Sequence, residues 1–240
     1  MKKTFRLMAL EAMAAGLAFA SCDDGNKDNP GGGDVPGGGG TVTAEWVDLG
    51  LPSGLLWAKC NLGATKPEEY GDYYAWGETV TKEVYDWSTY KYCNGDYNQL
   101  TKYCNDPEYG YNGFTDNLTT LQPSDDVATQ KLGNGARMPT ETEWCELIAN
   151  TTSEWTTENG VYGRKLTASN GKSLFFPAAG YRDGSELHYA GELGVYWSSS
   201  LGADGPYDAW FFGFSSGGQY VGSDDRQSGF SVRAVRASQN

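Results

Sequence analysis

The tract GGGDVPGGGG at residues 31–40 divides the chain into parts that must behave differently. Glycine-rich backbone carrying one valine has almost no apolar surface to bury, so it cannot offset its own conformational entropy. A folded domain therefore lies after it, in residues 45–240, a length that supports one domain with a sizeable core. Residues 22–44 read as a tether. As a flexible coil, roughly twenty such residues reach about 25 Å root-mean-square.

The N-terminus is laid out as a secretory signal over residues 1–21. Lys2, Lys3 and Arg6 precede an apolar run, interrupted by Glu11, that ends in small residues before Cys22. The run is too short for a retained membrane span. Ala20-Ser21-Cys22 resembles a bacterial lipobox, which implies cleavage before Cys22 and lipid on its sulfur. Asp23-Asp24 resembles the acidic export signal of Bacteroidetes surface lipoproteins. The implied location is the outer membrane, exposed at the cell surface, with membrane contact through the lipid alone. Net charge is −13, and loss of residues 1–21 removes three bases and one acid, making the chain more negative still. Such a field excludes nucleic acid as a partner, because phosphates need cationic neutralisation.

Within 45–240 leucine, isoleucine and valine are sparse, whereas the chain holds 16 Tyr, 8 Trp, 9 Phe and 33 Gly. Aromatic rings must then fill the interior of a loop-rich fold. The clearest helix follows Thr140. Thr140 and Glu143 have the spacing of a capping box, and Trp144, Leu147 and Ile148 share one face. A second helix is expected around 125–131. Asn159-Gly160 and Asn170-Gly171 each supply the positive φ angles of a tight hairpin, pairing strands at 161–167 and 173–176. Further strands are expected at 195–199, 209–214, 219–221 and 231–235. In the last of these Val232 and Ala234 alternate with Ser231 and Arg233, giving one apolar and one polar face.

Seven ordered segments carry a resemblance: DLGLPSGLLWAKCNLGA (48–64), EEYGDYYAWGET (68–79), the Cys93–Cys104 region (90–104), RMPTETEWCELI (137–148), FFPAAGYRDG (175–184), GVYWSSS (194–200) and SGFSVRAVR (228–236). Together they resemble the Fibrobacter succinogenes major paralogous domain of Bacteroidetes lipoproteins. That domain is similar to the formylglycine-generating-enzyme fold, a variant of the C-type lectin fold. The resemblance implies an α+β, C-type-lectin-like domain with short antiparallel strands, few helices and long loops. It brings no assigned activity. Formylglycine-generating chemistry needs a thiol pair in the C-terminal third to hold copper, and no cysteine follows Cys145.

Other chemistry finds little support in the residue pattern. A serine nucleophile in GVYWSSS needs a base, and the one histidine, His188, stands ten residues before Ser198. Zinc motifs and a phosphate-binding loop are missing. Acids abundant enough for a glycosidase pair are present, but no pair stands out. Beyond Cys22 the four cysteines of an exported chain suggest disulfides, with Cys93–Cys104 and Cys60–Cys145 the preferred pairing and buried free thiols the alternative. Tyr109, Tyr111 and Tyr207 lie in Gly- and Asp-rich loops and, with Trp210, are the candidate platforms for a sugar ring. Tyr73, Tyr74 and Trp76 are similar in kind. Calcium is the one metal whose hard oxygen ligands are plentiful, with Asp125, Asp126, Asp224 and Asp225 as candidates; no other cofactor is expected. The sequence thus reads as a non-catalytic surface lipoprotein with one domain that binds extracellular glycan or protein. A structural or adhesin subunit and an unrecognised polysaccharide hydrolase are the alternatives.

Overall fold

A computed structural model describes residues 44–238. The signal sequence, Cys22 and all of the expected tether except Ala44 lie outside the described residues. In chain order the elements are β1 (Trp46–Asp48), β2 (Leu55–Ala58), α1 (Val127–Leu132), α2 (Glu141–Ala149), β3 (Thr151–Glu158), β4 (Val161–Ala168), β5 (Ser173–Pro177), β6 (Tyr181–Asp183), β7 (Glu186–His188), β8 (Gly194–Leu201), β9 (Asp208–Ser215), β10 (Gly218–Asp225) and β11 (Val235–Ala237). The strands form four small sheets, β1-β2-β11, β10-β9-β8, β3-β4-β5 and β6-β7, and every pair is antiparallel. This corrects the α+β class implied by the resemblance. The described residues are 37% strand and 9% helix, so the domain is mainly β.

Local chemistry explains the elements. Thr140 Oγ1 accepts from Glu143 N while Glu143 Oε2 accepts from Thr140 N, so the capping box starts α2 as its spacing implies. Asp126 caps α1, its side chain accepting from Thr129 N. Asn159 and Gly160 both have positive φ, 49° and 82°, and close the β3–β4 hairpin. The second Asn-Gly differs from expectation. Gly171 alone has positive φ, because the Asn170 side chain is engaged instead with Asp48 O and Lys172 N. Residues 231–234 also depart from the expected strand. They pair only through a single bridge between Tyr196 and Ser231, and the ladder resumes at Val235.

The β8–β9–β10 sheet separates two aromatic cores. Successive side chains of a strand face opposite ways. Val195, Trp197, Ala209 and Phe211 enter one cluster, with Tyr73, Tyr74, Trp76 and Phe230. Tyr196, Phe212 and Phe214 enter the other, with Trp57, Trp144 and Phe176. Tyr73, Tyr74 and Trp76 are therefore core residues and not exposed platforms. Gly194 opens β8 because a Cβ there would lie 2.1 Å from the Phe214 ring.

Residues 59–126 contain no strand, yet their loops are tied to the core by the polar tips of its rings. Trp76 Nε1 donates to Ser198 O (2.8 Å) and Trp197 Nε1 to Tyr74 O (2.8 Å). Tyr90 donates to Trp76 O (2.8 Å), Tyr85 to Tyr73 O (2.7 Å) and Tyr73 to Ala179 O (2.6 Å). Buried carbonyls that no ladder reaches are satisfied in this way.

The supposedly polar face of 231–235 is buried too. Arg233 is fully buried and donates to Asn61 Oδ1 (3.0 and 2.6 Å), Ala58 O (3.2 Å), Lys59 O (2.9 Å) and Phe175 O (3.0 Å). Its guanidinium also stacks on Phe176 at 4.4 Å. A lysine has one nitrogen and cannot span four separate acceptors. Arg233→Lys is expected to lower stability by about 3 kcal/mol, read as a fall in the urea denaturation midpoint. An unchanged midpoint would contradict the role given to this fork.

Candidate functional site

Three loops bring three tyrosines together beside the start of β9 and the end of β10. Tyr97 rides a small turn closed by the Cys93–Leu100 bridge and by Asn94 N to Gln99 O at 2.8 Å. Tyr109 is held where Leu100 N donates to its carbonyl at 2.8 Å, and Leu100 itself is fully buried. Tyr207 precedes β9, with Arg226 N donating to its carbonyl at 3.0 Å. Gly205 is required here, since a Cβ would sit 2.4 Å from the Tyr207 ring. The ring centroids are 5.0 Å apart for Tyr109–Tyr207, 5.7 Å for Tyr97–Tyr207 and 6.2 Å for Tyr97–Tyr109. All three rings are half-buried.

Carboxylates border this cluster. Asp208 and Asp225 stand directly opposite in the β9–β10 ladder, and therefore on one face, where Asp225 acts against the charge of Asp208. Like charges directly opposite destabilise a strand pair, so such a pairing needs a shared proton. Burial, then the neighbouring Asp225, Asp224 and Asp204, push the Asp208 carboxyl up to about 8. Burial and repulsion from Asp225 and Asp183 push Asp224 up to about 7. Tyr207 is raised as well, by burial and then by Asp208 and Tyr109. At neutral pH the site thus offers hydroxyls, aromatic faces and a carboxyl able to donate as well as accept.

Of the residues the sequence singled out, Tyr109 and Tyr207 are in this cluster. Trp210 is half-buried on β9, two residues beyond Asp208 and so on the same face of the strand. Tyr111 is 41% exposed in a short 3-10 turn, and its ring is not part of the trio. Tyr97 and Asp208 escaped the sequence reading. The first lies in the same kind of Gly- and Asp-rich loop as Tyr109, and the second directly follows Tyr207.

The other candidates are occupied by structure. Asp125 Oδ2 accepts from Lys102 Nζ and Tyr103 OH, each at 2.6 Å. Burial alone would raise its carboxyl, but these bonds hold it down at about 2. Both Asp126 oxygens take backbone N–H groups, of Thr129 and Met138. Asp224 and Asp225 are adjacent on a strand and face opposite ways. Among the described residues no group of three or more His, Cys, Asp or Glu could hold a metal ion, so the calcium candidates do not converge.

The expected disulfides Cys93–Cys104 and Cys60–Cys145 are not formed; all four cysteines are free thiols. Cys93 Sγ donates to Trp87 O, while Cys104 Sγ donates to Asp106 O and its backbone is gripped by the Asp116 carboxylate. The loop is closed instead by the Cys93–Leu100 bridge. Cys145 is exposed on α2, where partial burial and Glu141 push it up to about 11. The serines of GVYWSSS serve the scaffold. Ser198 is fully buried with Oγ accepting from Ser200 N, and Ser199 Oγ donates to Pro139 O. His188 lies 3.8 Å from Glu186 on the β6–β7 hairpin.

The raised Asp208 carboxyl makes stability depend on pH. The folded state keeps a proton that the unfolded chain releases near pH 4, so this stabilisation is complete below about pH 4 and is lost as pH rises through about 8. Asp208→Asn mimics the protonated form. Its melting temperature is expected to match the parent at or below about pH 4 and exceed it at pH 8; equal pH dependence in both proteins would contradict the shared proton.

Comparison with known proteins adds one similarity. A family model described as "Domain of unknown function (DUF8237)" matches residues 164–235, from β4 through the start of β11 and including Tyr207, Asp208 and Arg233. No curated protein and no solved structure matches the chain.

Proposed function

We propose that the domain is a non-catalytic binding module that takes an extracellular glycan on the Tyr97–Tyr109–Tyr207 cluster. The observation that carries this reading is the convergence of three half-buried rings from three separate loops beside a cross-strand carboxyl pair. Sugars present apolar ring faces that stack on aromatic surfaces and hydroxyls that need donors and acceptors together. The tyrosine faces supply the first. The Asp208–Asp225 pair, carrying one proton between two carboxyls, supplies the second.

The same pair argues against a hydrolase at this position. Glycosidases need their two carboxyls about 5 Å apart or more, to admit a nucleophilic attack or a water. Two carboxyls paired directly across one face of an antiparallel ladder disfavour such room. In this proposal Cys22 carries lipid, residues 22–44 tether the domain, and the chain works at the outer surface of the cell.

A glycan array with the full chain identifies a saccharide, and titration calorimetry measures its affinity. Tyr109→Ala and Tyr207→Ala are each expected to weaken binding roughly tenfold while leaving the melting temperature of the domain nearly unchanged. Saturable binding that survives both changes would remove the cluster from the site. Polysaccharide turnover abolished by Asp208→Asn would replace the binding module with an enzyme.

A further inference from the structure

A cavity of about 470 Å³ lies away from the tyrosine cluster, where the loop holding Tyr73 and Tyr85 meets the β6–β7 hairpin. Its volume is in the range of small-molecule sites, about 300–1,000 Å³. Two tyrosines form its base, and each carries a cation. Arg182 stacks over Tyr73 at 5.4 Å and Lys82 over Tyr85 at 5.5 Å. The base is rigid, because both hydroxyls are committed to buried backbone carbonyls. The hairpin is pinned on two sides. Tyr85 and Gly184 exchange backbone hydrogen bonds at 2.8 Å each, and Arg182 and Gly229 do so at 2.8 and 2.9 Å.

The two cations differ in what they have left to give. Lys82 is engaged by Glu78 at 3.0 Å and by Thr89 O at 3.2 Å. Arg182 makes no side-chain hydrogen bond and no ion pair among the described residues, in a chain with 31 acids and 18 bases. Its neighbour Asp183 points to the opposite face of β6, toward Asp224. A guanidinium stacked on a ring, half-buried and with its donor fork uncommitted, is set up for bidentate capture of a carboxylate.

We propose that this cleft is a second binding site, specific for a carboxylate-bearing sugar such as a hexuronate. The remaining lining selects the sugar over other anions. Asp72 and Glu83 also line the cleft. They would repel a phosphate or a dicarboxylate but accept hydrogen bonds from sugar hydroxyls around a single carboxylate. Thr81 and Ser185 add neutral hydroxyls at the rim. The site shares no residue with the tyrosine cluster, so the two proposals stand or fall separately.

The probe is glucuronate, which carries a single carboxylate, titrated into the full chain by calorimetry, with neutral glucose as control. Saturable binding of the uronate alone is expected. Arg182→Gln should weaken it at least tenfold, and Arg182→Lys, which keeps the charge without the fork, should fall between. Unchanged melting temperatures of both variants separate lost binding from lost folding. Tyr109→Ala and Tyr207→Ala should leave uronate affinity unaltered. Equal affinity for the neutral sugar, no saturable uronate binding, or full affinity in Arg182→Gln would each overturn the proposal; uronate binding lost only in the tyrosine variants would move it to the other site.

Discussion

The fold hangs on a buried cation with no acidic partner among the described residues. Arg233 sits at zero exposure and sends its donors to Asn61, to two carbonyls after β2 begins its exit, and to the carbonyl of Phe175 in β5. Burial lowers its pKa from the usual arginine value, which measures how unfavourable the site is for charge. The four oxygens offset that cost, and they belong to segments far apart in sequence. Asn61 extends the fork, donating to Tyr70 O at 2.9 Å and to Tyr196 OH at 3.2 Å. The N-terminal sheet, the loop after it and the β8 strand are thereby held in one hydrogen-bonded unit.

Arg226 repeats the device at the other end of β10. It too is fully buried, donates to Tyr103 O at 2.8 Å and Lys102 O at 3.3 Å, and lies between the Trp76 and Tyr90 rings at 5.3 Å from each. Both arginines do at large scale what the tyrosine and tryptophan tips do locally. A mainly β domain whose strands cover little of its loops has many carbonyls outside any ladder. Aliphatic side chains would fill the same volume and leave those carbonyls unpaired. The scarcity of leucine and the wealth of tyrosine are two views of this one requirement.

That requirement also marks where sequence reading succeeds. The capping box at Thr140 and the turn at Asn159-Gly160 are set by neighbours within a few residues, and both form. The Asn170 turn and the 231–235 strand fail because distant partners, Asp48 and the Arg233 fork, override local preference. β3 was not foreseen, since TTSEWTTE alternates threonine and glutamate with a single tryptophan and carries little apolar signal. Tyr109 and Tyr207 are legible as aromatics in polar loops, and the structure leaves both half-buried. The Asp208–Asp225 pairing is not legible, because it exists only once the β9–β10 register is known. Arg182 is similarly invisible: its stacking on Tyr73, with no side-chain hydrogen bond or ion pair among the described residues, is a property of three dimensions.

The direction of each acid's shift separates scaffold from site. Asp125 and Glu143 are both held below their usual values despite burial, by Lys102 and Tyr103 in one case and by Arg137 in the other. Such acids stabilise the fold they occupy. Asp126 is raised by burial, yet both its oxygens accept backbone N–H groups, and the one from Thr129 starts α1. Asp208 has no such compensation. Burial and three neighbouring acids all act against its charge, and a neutral residue of the same shape would be more stable there. A group that weakens the fold while standing beside a cluster of half-buried rings supports the ligand site proposed for that cluster.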